Sequence, residues 1–93
     1  MPIMIQAVVP GMTREQYNRM SERMLVEIKR QRGFLAHAGM PVPGGFQVVE
    51  FWESQETFDA WIKNAVMPAA TAAGIAPPIL TVIPAERVER APG

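Results

Sequence analysis

Residues 33–54, GFLAHAGMPVPGGFQVVEFWES, place two short apolar runs on either side of a segment rich in proline and glycine. The runs FLAHAGM (34–40) and FQVVEFW (46–52) have the length and the β-branched and aromatic content of strands. PVPGG (41–45) permits a chain reversal at its glycines, and its prolines cannot donate ladder hydrogen bonds. This stretch therefore predicts a β-hairpin with its loop at residues 41–45.

A strand and a capped helix precede the hairpin. IMIQAVV (3–9) is rich in β-branched residues and stops at Pro10 and Gly11, which are a strong turn signal. Thr13 and Gln16 have the spacing of a capping box, and Gly33 is placed to end the helix that follows. Apolar residues recur at helical spacing between them, at Tyr17, Met20, Met24, Leu25 and Ile28.

A second helix and a last strand follow the hairpin. Ser54 is placed to cap this helix, and Pro68 is expected to break or kink it. Residues 69–74 add another helical turn before ILTVI (79–83), the fourth predicted strand. The buried stripe of the helix is predicted to consist of Phe58, Trp61, Ile62 and Ala65.

The order β-α-β-β-α-β predicts an α+β, ferredoxin-like fold, in which two helices pack on one face of a four-stranded antiparallel sheet. A weak similarity between MTREQYNRM (12–20) and ESQETFDAW (53–61) supports two related halves. At 93 residues, we expect a single domain, 1–93, with a small core that a partner subunit would help to cover.

Composition excludes several classes of partner and site. Lys and Arg together number 9, as do Asp and Glu, so no net field favours a nucleic acid or an anionic membrane. The absence of cysteine excludes disulfides, thiolate metal sites and a Cys nucleophile. The N-terminal segment lacks a signal-peptide pattern, and no apolar run approaches the roughly 20 residues that span a bilayer. We expect a cytoplasmic protein.

Both faces of the predicted sheet are mostly apolar. In the first strand, for example, Ile3, Ile5, Ala7 and Val9 alternate with Met4, Gln6 and Val8. Two helices can cover one face only, and leaving several hundred Å² of the other in water would forgo on the order of ten kcal/mol at roughly 25 cal/mol per Å². We expect a homodimer through the sheet faces, unless shifted strand boundaries hide a polar outer face.

The segments PGMTREQYNRM, GFLAHAGMPVPGGFQVVEFWES and TFDAW resemble the dimeric α/β-barrel proteins, in particular the antibiotic-biosynthesis-monooxygenase-like group. The resemblance implies a homodimer whose two sheets form a barrel, with a pocket between sheet and helices in each protomer. Family members include cofactor-independent monooxygenases of polyketide aromatics, polyketide cyclases and haem-degrading enzymes, so the fold alone does not fix the reaction. The haem-degrading branch uses an asparagine, a tryptophan and a histidine. Gln6 replaces that asparagine and His37 lies in the second strand, which disfavours haem degradation.

His37 and Glu50 are the candidate catalytic residues. His37 is the only histidine, and imidazole can move a proton near neutral pH. Glu50 places a charge inside an apolar strand, which is costly unless the carboxylate is paired or hydrogen-bonded. The alternatives are a structural histidine with its hydrogen bonds satisfied, and a glutamate paired with an arginine of a helix or of the partner chain. No metal site is expected, because no cysteine, second histidine or carboxylate pair accompanies His37 at metal-ligand spacing.

Trp52, Tyr17, Gln6 and Met24 are the candidate substrate-binding residues. Trp52 and Tyr17 could pack an aromatic ring, and methionines such as Met24 give an adaptable apolar lining. A buried Gln6 amide must find partners, in a ligand or between strands. All four residues would also suit a plain core.

The sequence thus predicts a small dimeric protein that binds a hydrophobic, aromatic or polyketide-like molecule between sheet and helices. If it is an enzyme, it is expected to need neither a metal nor an organic cofactor. His37 or Glu50 would deprotonate an electron-rich phenol or anthrone whose carbanion then meets oxygen, or similar proton transfers would cyclise a poly-ketone. The alternative is a non-catalytic ligand-binding or accessory protein. A cavity that brings His37 and Glu50 within reach of one ligand would favour the enzyme.

Overall fold

The computed structural model describes residues 1–92 and confirms the order β-α-β-β-α-β. The strands form one antiparallel sheet in the spatial order β2-β3-β1-β4. They are β1 (Ile3–Pro10), β2 (Phe34–Val42), β3 (Gly45–Trp52) and β4 (Ile79–Pro84). The helical segments are α1 (Arg14–Ile28), α2 (Gln55–Trp61), a π-helical turn (Ile62–Val66) and α3 (Met67–Ala73).

The hairpin is tighter than the sequence predicts. β2 continues through Pro41 to Val42 and β3 begins at Gly45, so the turn contains residues 43 and 44 alone and not the whole of 41–45. Proline is tolerated because β2 is an edge strand, where a missing N–H can lie on the side without a neighbour. Gly44 has φ 80°, the left-handed conformation that such a short turn requires.

Both predicted helix starts are confirmed. The Thr13 hydroxyl accepts from the Gln16 backbone N–H, and the Gln16 side chain accepts from the Thr13 N–H, which completes a capping box. The Ser54 hydroxyl accepts from the Thr57 N–H at the start of α2. These caps hold both helices at defined points relative to the strands that precede them.

Pro68 does not end the helical path, which continues from α2 through the π-helical turn into α3. The regular α-helix is nevertheless interrupted directly before Pro68, as expected for a proline that breaks or kinks a helix. In the π-helical turn, the backbone N–H of Met67 bonds to the Ile62 carbonyl, five residues back, and this altered pairing accommodates the proline. Gly74 then ends α3 with φ 67°, as its position after the last apolar residues predicts.

The helices cover one face of the sheet, which we call the inner face. Ile3 and Ile5 of β1 and Trp52 of β3 are buried there against Ile28, Phe58 and other helix residues. Trp52 is 0% exposed and makes edge contacts with the rings of Phe34 and Phe58. This aromatic cluster fixes how α2 lies on the sheet.

The other face, which we call the outer face, carries the alternate residues of the same strands. The buried clusters join the helices to inner-face residues only. Among the outer-face side chains, Gln6, Gln47 and Thr81 are polar and none is charged. The apolar members are Met4, Val8, Ala36, Ala38, Met40, Val49, Phe51, Ile79 and Ile83. The described strands therefore have two largely apolar faces, as the sequence predicts. Within residues 1–92, no helix has the length and apolarity needed to cross a bilayer.

Candidate functional site

A cavity of about 120 Å³ lies between the inner face and the helices. Its walls are almost entirely apolar, and every layer of the fold contributes to them. Strand β1, helix α1 and the second helical region supply most of the apolar lining, including Ile5, Ala7, Val9, Met20, Met24, Leu25, Trp61, Ile62 and Val66. The cavity is therefore suited to an apolar ligand or to an aromatic ring.

Three hydrogen-bonded side chains, Tyr17, His37 and Glu50, also line this cavity. The Tyr17 hydroxyl lies 2.7 Å from Nε2 of His37, and Nδ1 of His37 lies 2.7 Å from Oε2 of Glu50. We call this arrangement the Tyr17–His37–Glu50 triad. The two candidate catalytic residues thus meet at one cavity, and a helix residue joins them.

Three different elements position the triad. His37 of β2 and Glu50 of β3 are direct partners in the ladder, and both side chains point to the inner face. Tyr17 reaches them from the first turns of α1, and its ring stacks on Phe46 with ring centroids 4.5 Å apart. Gly39, two residues after His37 on the same face, leaves the space that the Tyr17 ring occupies, because a Cβ there would overlap the Tyr17 hydroxyl.

The hydrogen-bond distances are compatible with a neutral His37 that donates to Glu50 and accepts from Tyr17. The indole Nε1 of Trp52 donates to Oε1 of Glu50 at 3.0 Å, and the other carboxylate oxygen accepts from Nδ1–H of His37. A neutral imidazole with its hydrogen on Nδ1 has a free electron pair on Nε2, which accepts the hydroxyl proton of Tyr17. A hydroxyl, an imidazole and a carboxylate in this order form the arrangement that activates oxygen atoms in hydrolase triads.

Burial explains why each member of the triad needs its neighbours. The side chains of His37 and Glu50 are 13% and 8% exposed. A carboxylate so far from water is costly unless both oxygens accept hydrogen bonds, and here they accept from His37 and Trp52. Glu50 pairs with His37 and not with an arginine of a helix, which was the alternative suggested by the sequence. Within residues 1–92, every buried side-chain nitrogen and oxygen has a partner.

The four predicted substrate-binding residues do not all lie at the cavity. Tyr17 and Met24 line it. Trp52 lies behind Glu50 and is fully buried, so it orients the carboxylate and has no surface facing the cavity. Gln6 points to the outer face, because it alternates with the inward residues Ile5 and Ala7 along β1.

Sequence reasoning missed two features of this site. The contact of Tyr17 with His37 joins residues 20 apart and has no local signal beyond the presence of Tyr17 on the apolar stripe of α1. The only sequence signal for the role of Gly39 was its position inside a predicted strand, because a glycine in a strand can mark a place where another group comes close to the backbone. Across the described chain, no three His, Cys, Asp or Glu side chains are grouped so as to hold a metal ion.

Solved structures of similar fold cover nearly the whole chain. SnoaB, a cofactor-independent oxygenase from Streptomyces nogalater, is 14% identical, with 94% of each chain covered and a TM-score of 0.69. A protein from Deinococcus radiodurans, provisionally named an antibiotic biosynthesis monooxygenase, is 14% identical over 100% of both chains, with a TM-score of 0.66. A mutant of MhuD with two manganese protoporphyrin IX molecules per active site is 21% identical, with 98% of this chain and 100% of that chain covered and a TM-score of 0.66.

No protein-family model matches the sequence, and a search of curated proteins finds no match. The structural similarity therefore carries the comparison, and at these identities it concerns the fold. This chain has the ferredoxin-like fold of the antibiotic biosynthesis monooxygenase-like proteins, as its sequence resemblance implies.

Proposed function

We propose that this protein binds a hydroxylated aromatic molecule in its cavity and oxidises it with molecular oxygen, without a bound cofactor. The observation that carries the proposal is the Tyr17–His37–Glu50 triad on the wall of an otherwise apolar cavity. The shared fold with SnoaB, a cofactor-independent oxygenase, supports the same class of reaction. Fold alone does not assign chemistry, so the triad is the stronger argument.

The first step is removal of the substrate hydroxyl proton. The aromatic ring lies among the apolar side chains, and its hydroxyl donates to the Tyr17 oxygen while Tyr17 passes its own proton to Nε2 of His37. Glu50, which accepts from Nδ1–H, stabilises the imidazolium that forms, and Trp52 fixes the carboxylate. The apolar walls exclude water, so the electron-rich phenolate stays available for reaction with oxygen.

The substrate itself supplies the electrons for the second step. Charge delocalised onto a ring carbon passes to O₂, a carbon–oxygen bond forms at that carbon, and the resulting peroxide anion takes the proton back from His37 to become a hydroperoxide. His37 then removes the hydrogen of the same carbon as a proton, a carbon–oxygen double bond forms as the O–O bond breaks, and the leaving hydroxide takes up that proton as water. One phenol and one O₂ give one quinone and one water, so no external reductant is required.

Oxygen uptake by the purified full chain tests this proposal. Guaiacol, α-naphthol and the enol tautomer of anthrone each yield a quinone by the reaction above, and we expect at least one of these compounds to consume O₂ and form quinone in equal amounts. Glu50→Gln keeps the size of the side chain and should abolish the reaction, whereas Val26→Ala, at a position 51% exposed on α1, should not affect it. Uptake no faster than in buffer for all three compounds, or full activity of Glu50→Gln, would refute the proposed reaction.

A non-catalytic binding role is the second candidate, and one observation favours it. The polar atoms of the triad already have partners inside the protein, so they can be read as a purely structural network. In that case, a ligand would release heat on binding in calorimetry while no O₂ is consumed. The two measurements together separate a ligand-binding or accessory protein from an oxygenase.

We also propose that two copies associate through their outer faces to form the barrel. The support is the absence of any charged side chain on the outer face of the described strands, and the exposure of Ile79 and Ile83 at its β4 edge. Burying such a surface against its own copy gives a closed, symmetric assembly. Sedimentation at micromolar concentration should give the mass of a dimer. A well-folded single protomer would contradict this assembly.

A further inference from the structure

The proposed reaction is open to any hydroxylated aromatic molecule. The size of the cavity restricts how many rings of such a molecule the protein can enclose. Its volume is about 120 Å³. An engineered apolar cavity of about 150 Å³ in another protein holds one benzene molecule. The enclosed part of the present cavity therefore has room for about one six-membered ring, and any further fused ring would have to extend through its open side.

The walls leave little scope for enlargement. Ile5, Ile28, Phe58 and Trp61 line the cavity, and each is at most 4% exposed because each is also packed into the core. Moving such side chains outward would disturb the aromatic cluster around Trp52. Inserting extra atoms into a packed interior costs about 1 to 3 kcal/mol even where neighbours shift.

The polar groups of the wall restrict the ligand further. Besides the triad, the only polar groups among the described side chains that line the cavity are the Ser21 hydroxyl, one helical turn after Tyr17, and the indole N–H of Trp61. A hydroxyl placed anywhere else would lose its hydrogen bonds to water without replacement. The ligand must therefore present its oxygen atoms on the side of Tyr17 and carry apolar substituents elsewhere.

We infer that the substrate class is the single-ring phenols with small apolar or ether substituents, and not the polycyclic polyketides. The phenol hydroxyl lies at Tyr17, the ring lies among Met24, Leu25 and Trp61, and an adjacent ether oxygen can lie near Ser21. This inference rests on the proposed function and narrows its substrate.

Anaerobic calorimetry with the full chain tests the inference, because removing oxygen separates binding from turnover. The probes are guaiacol with one ring, α-naphthol with two and anthrone with three. If the apolar area of the ligand alone set the affinity, the affinity would rise with each added ring. The small volume of the cavity predicts the reverse order. We expect guaiacol to bind once per chain, α-naphthol to bind about tenfold more weakly, and anthrone to give no binding heat.

Variants of one wall residue check that the cavity is the binding site. Met24→Ala enlarges the cavity, and the variant should bind α-naphthol at least as tightly as it binds guaiacol. Met24→Trp fills the cavity and should abolish guaiacol binding. Val26→Ala, an exposed position on the same helix, should leave both affinities unchanged.

The outcomes separate the inference from the proposed function. Anthrone that binds the unmodified protein as tightly as guaiacol, and competes with it, would overturn the single-ring inference while leaving an aromatic oxygenase intact. Failure of all three compounds to bind would overturn both. Guaiacol binding that survives Met24→Trp would place the ligand outside the cavity and would also overturn the inference.

Discussion

The inner and outer faces are formed by alternate residues of the same strands and are both largely apolar, yet only the inner face carries ionisable side chains. Glu50 of β3 points inward to His37, while its neighbours Val49 and Phe51 point outward. The inner face combines a packed aromatic cluster with a cavity and a buried ionisable pair. The outer face has no charged side chain in the described strands and no helix above it.

The difference shows how a single strand can serve two roles at once. Successive side chains of a strand point to opposite faces, so a period of two residues separates the proposed chemistry from the proposed assembly. A shift of one residue in the pairing of β3 would expose Glu50 and bury Val49. Substitutions on each face should therefore have separate consequences.

Glu50→Gln on the inner face should have the largest effect. The new amide can still accept from the Trp52 indole, but its NH₂ group donates to Nδ1 of His37 and moves the imidazole hydrogen to Nε2. Nε2 can then no longer accept a proton from Tyr17. By analogy with hydrolase triads, we expect kcat for quinone formation to fall by about 10³ to 10⁴.

Nitrogen NMR of the His37 ring checks the cause independently of any substrate. The resting protein should show hydrogen on Nδ1 and the Glu50→Gln variant hydrogen on Nε2. A ring that keeps the same tautomer in both proteins would contradict the proton assignment in the Tyr17–His37–Glu50 triad.

Phe51→Glu on the outer face should act on assembly alone. In the proposed dimer, a carboxylate at position 51 would be buried between two apolar faces, near its copy, and would lack a partner in either protomer. We expect the dissociation constant of the proposed dimer, measured by sedimentation, to rise roughly 100-fold or more. Val26→Glu introduces the same charge at an exposed position on α1 and serves as the matched control. If Phe51→Glu sediments like the unmodified protein, the outer face is not the interface.

Gly39→Ala tests the packing that supports the inner face. The added methyl group would overlap the Tyr17 ring, so we expect a loss of about 1 to 3 kcal/mol in the free energy of unfolding, measured by urea denaturation. In a Tyr17→Ala background the overlap is gone, and the same change should cost nothing. Equal costs in both backgrounds would show that Gly39 does not position Tyr17.

Tyr17→Phe should have the smallest effect on stability. It removes one hydroxyl and leaves Nε2 of His37 without its protein donor, at a cost of about 1 kcal/mol in the free energy of unfolding. Guaiacol binding should persist, because the ligand hydroxyl can then donate directly to Nε2. Loss of guaiacol binding together with unchanged stability would contradict this role of Tyr17.

The sequence predicted the local parts of this fold well. The capping residues Thr13 and Ser54 and the alternation along β1 were readable because each depends on neighbours within a few residues. The error at Pro41, and the unpredicted continuation of the helical path past Pro68, have one physical reason. Whether a proline is tolerated depends on the position of its strand in the sheet or its turn in the helix, and these were not visible locally.

The sequence named His37, Glu50 and Tyr17 as candidate residues, but not the hydrogen bonds that join them. His37 and Glu50 were recognised in the sequence because an ionisable group inside an apolar strand costs free energy unless it is paired or hydrogen-bonded. Their direct pairing required the register of β2 against β3, and their link to Tyr17 required the placement of α1 on the sheet. The alternation along β1 and its register against β3 placed Gln6 on the outer face, and Trp52 lies behind Glu50 on the inner face.

The sequence by itself determined two capped helices, four strands with two apolar faces, and the isolated histidine and glutamate. The tertiary structure alone decided that Tyr17 completes the triad, that Gly39 makes room for it, and that a cavity of about 120 Å³ lies beside them. Alternation and capping are set by the nearest neighbours in the chain. Contacts between residues 13 and 20 positions apart, and the volume left between layers, are set by how whole elements pack together.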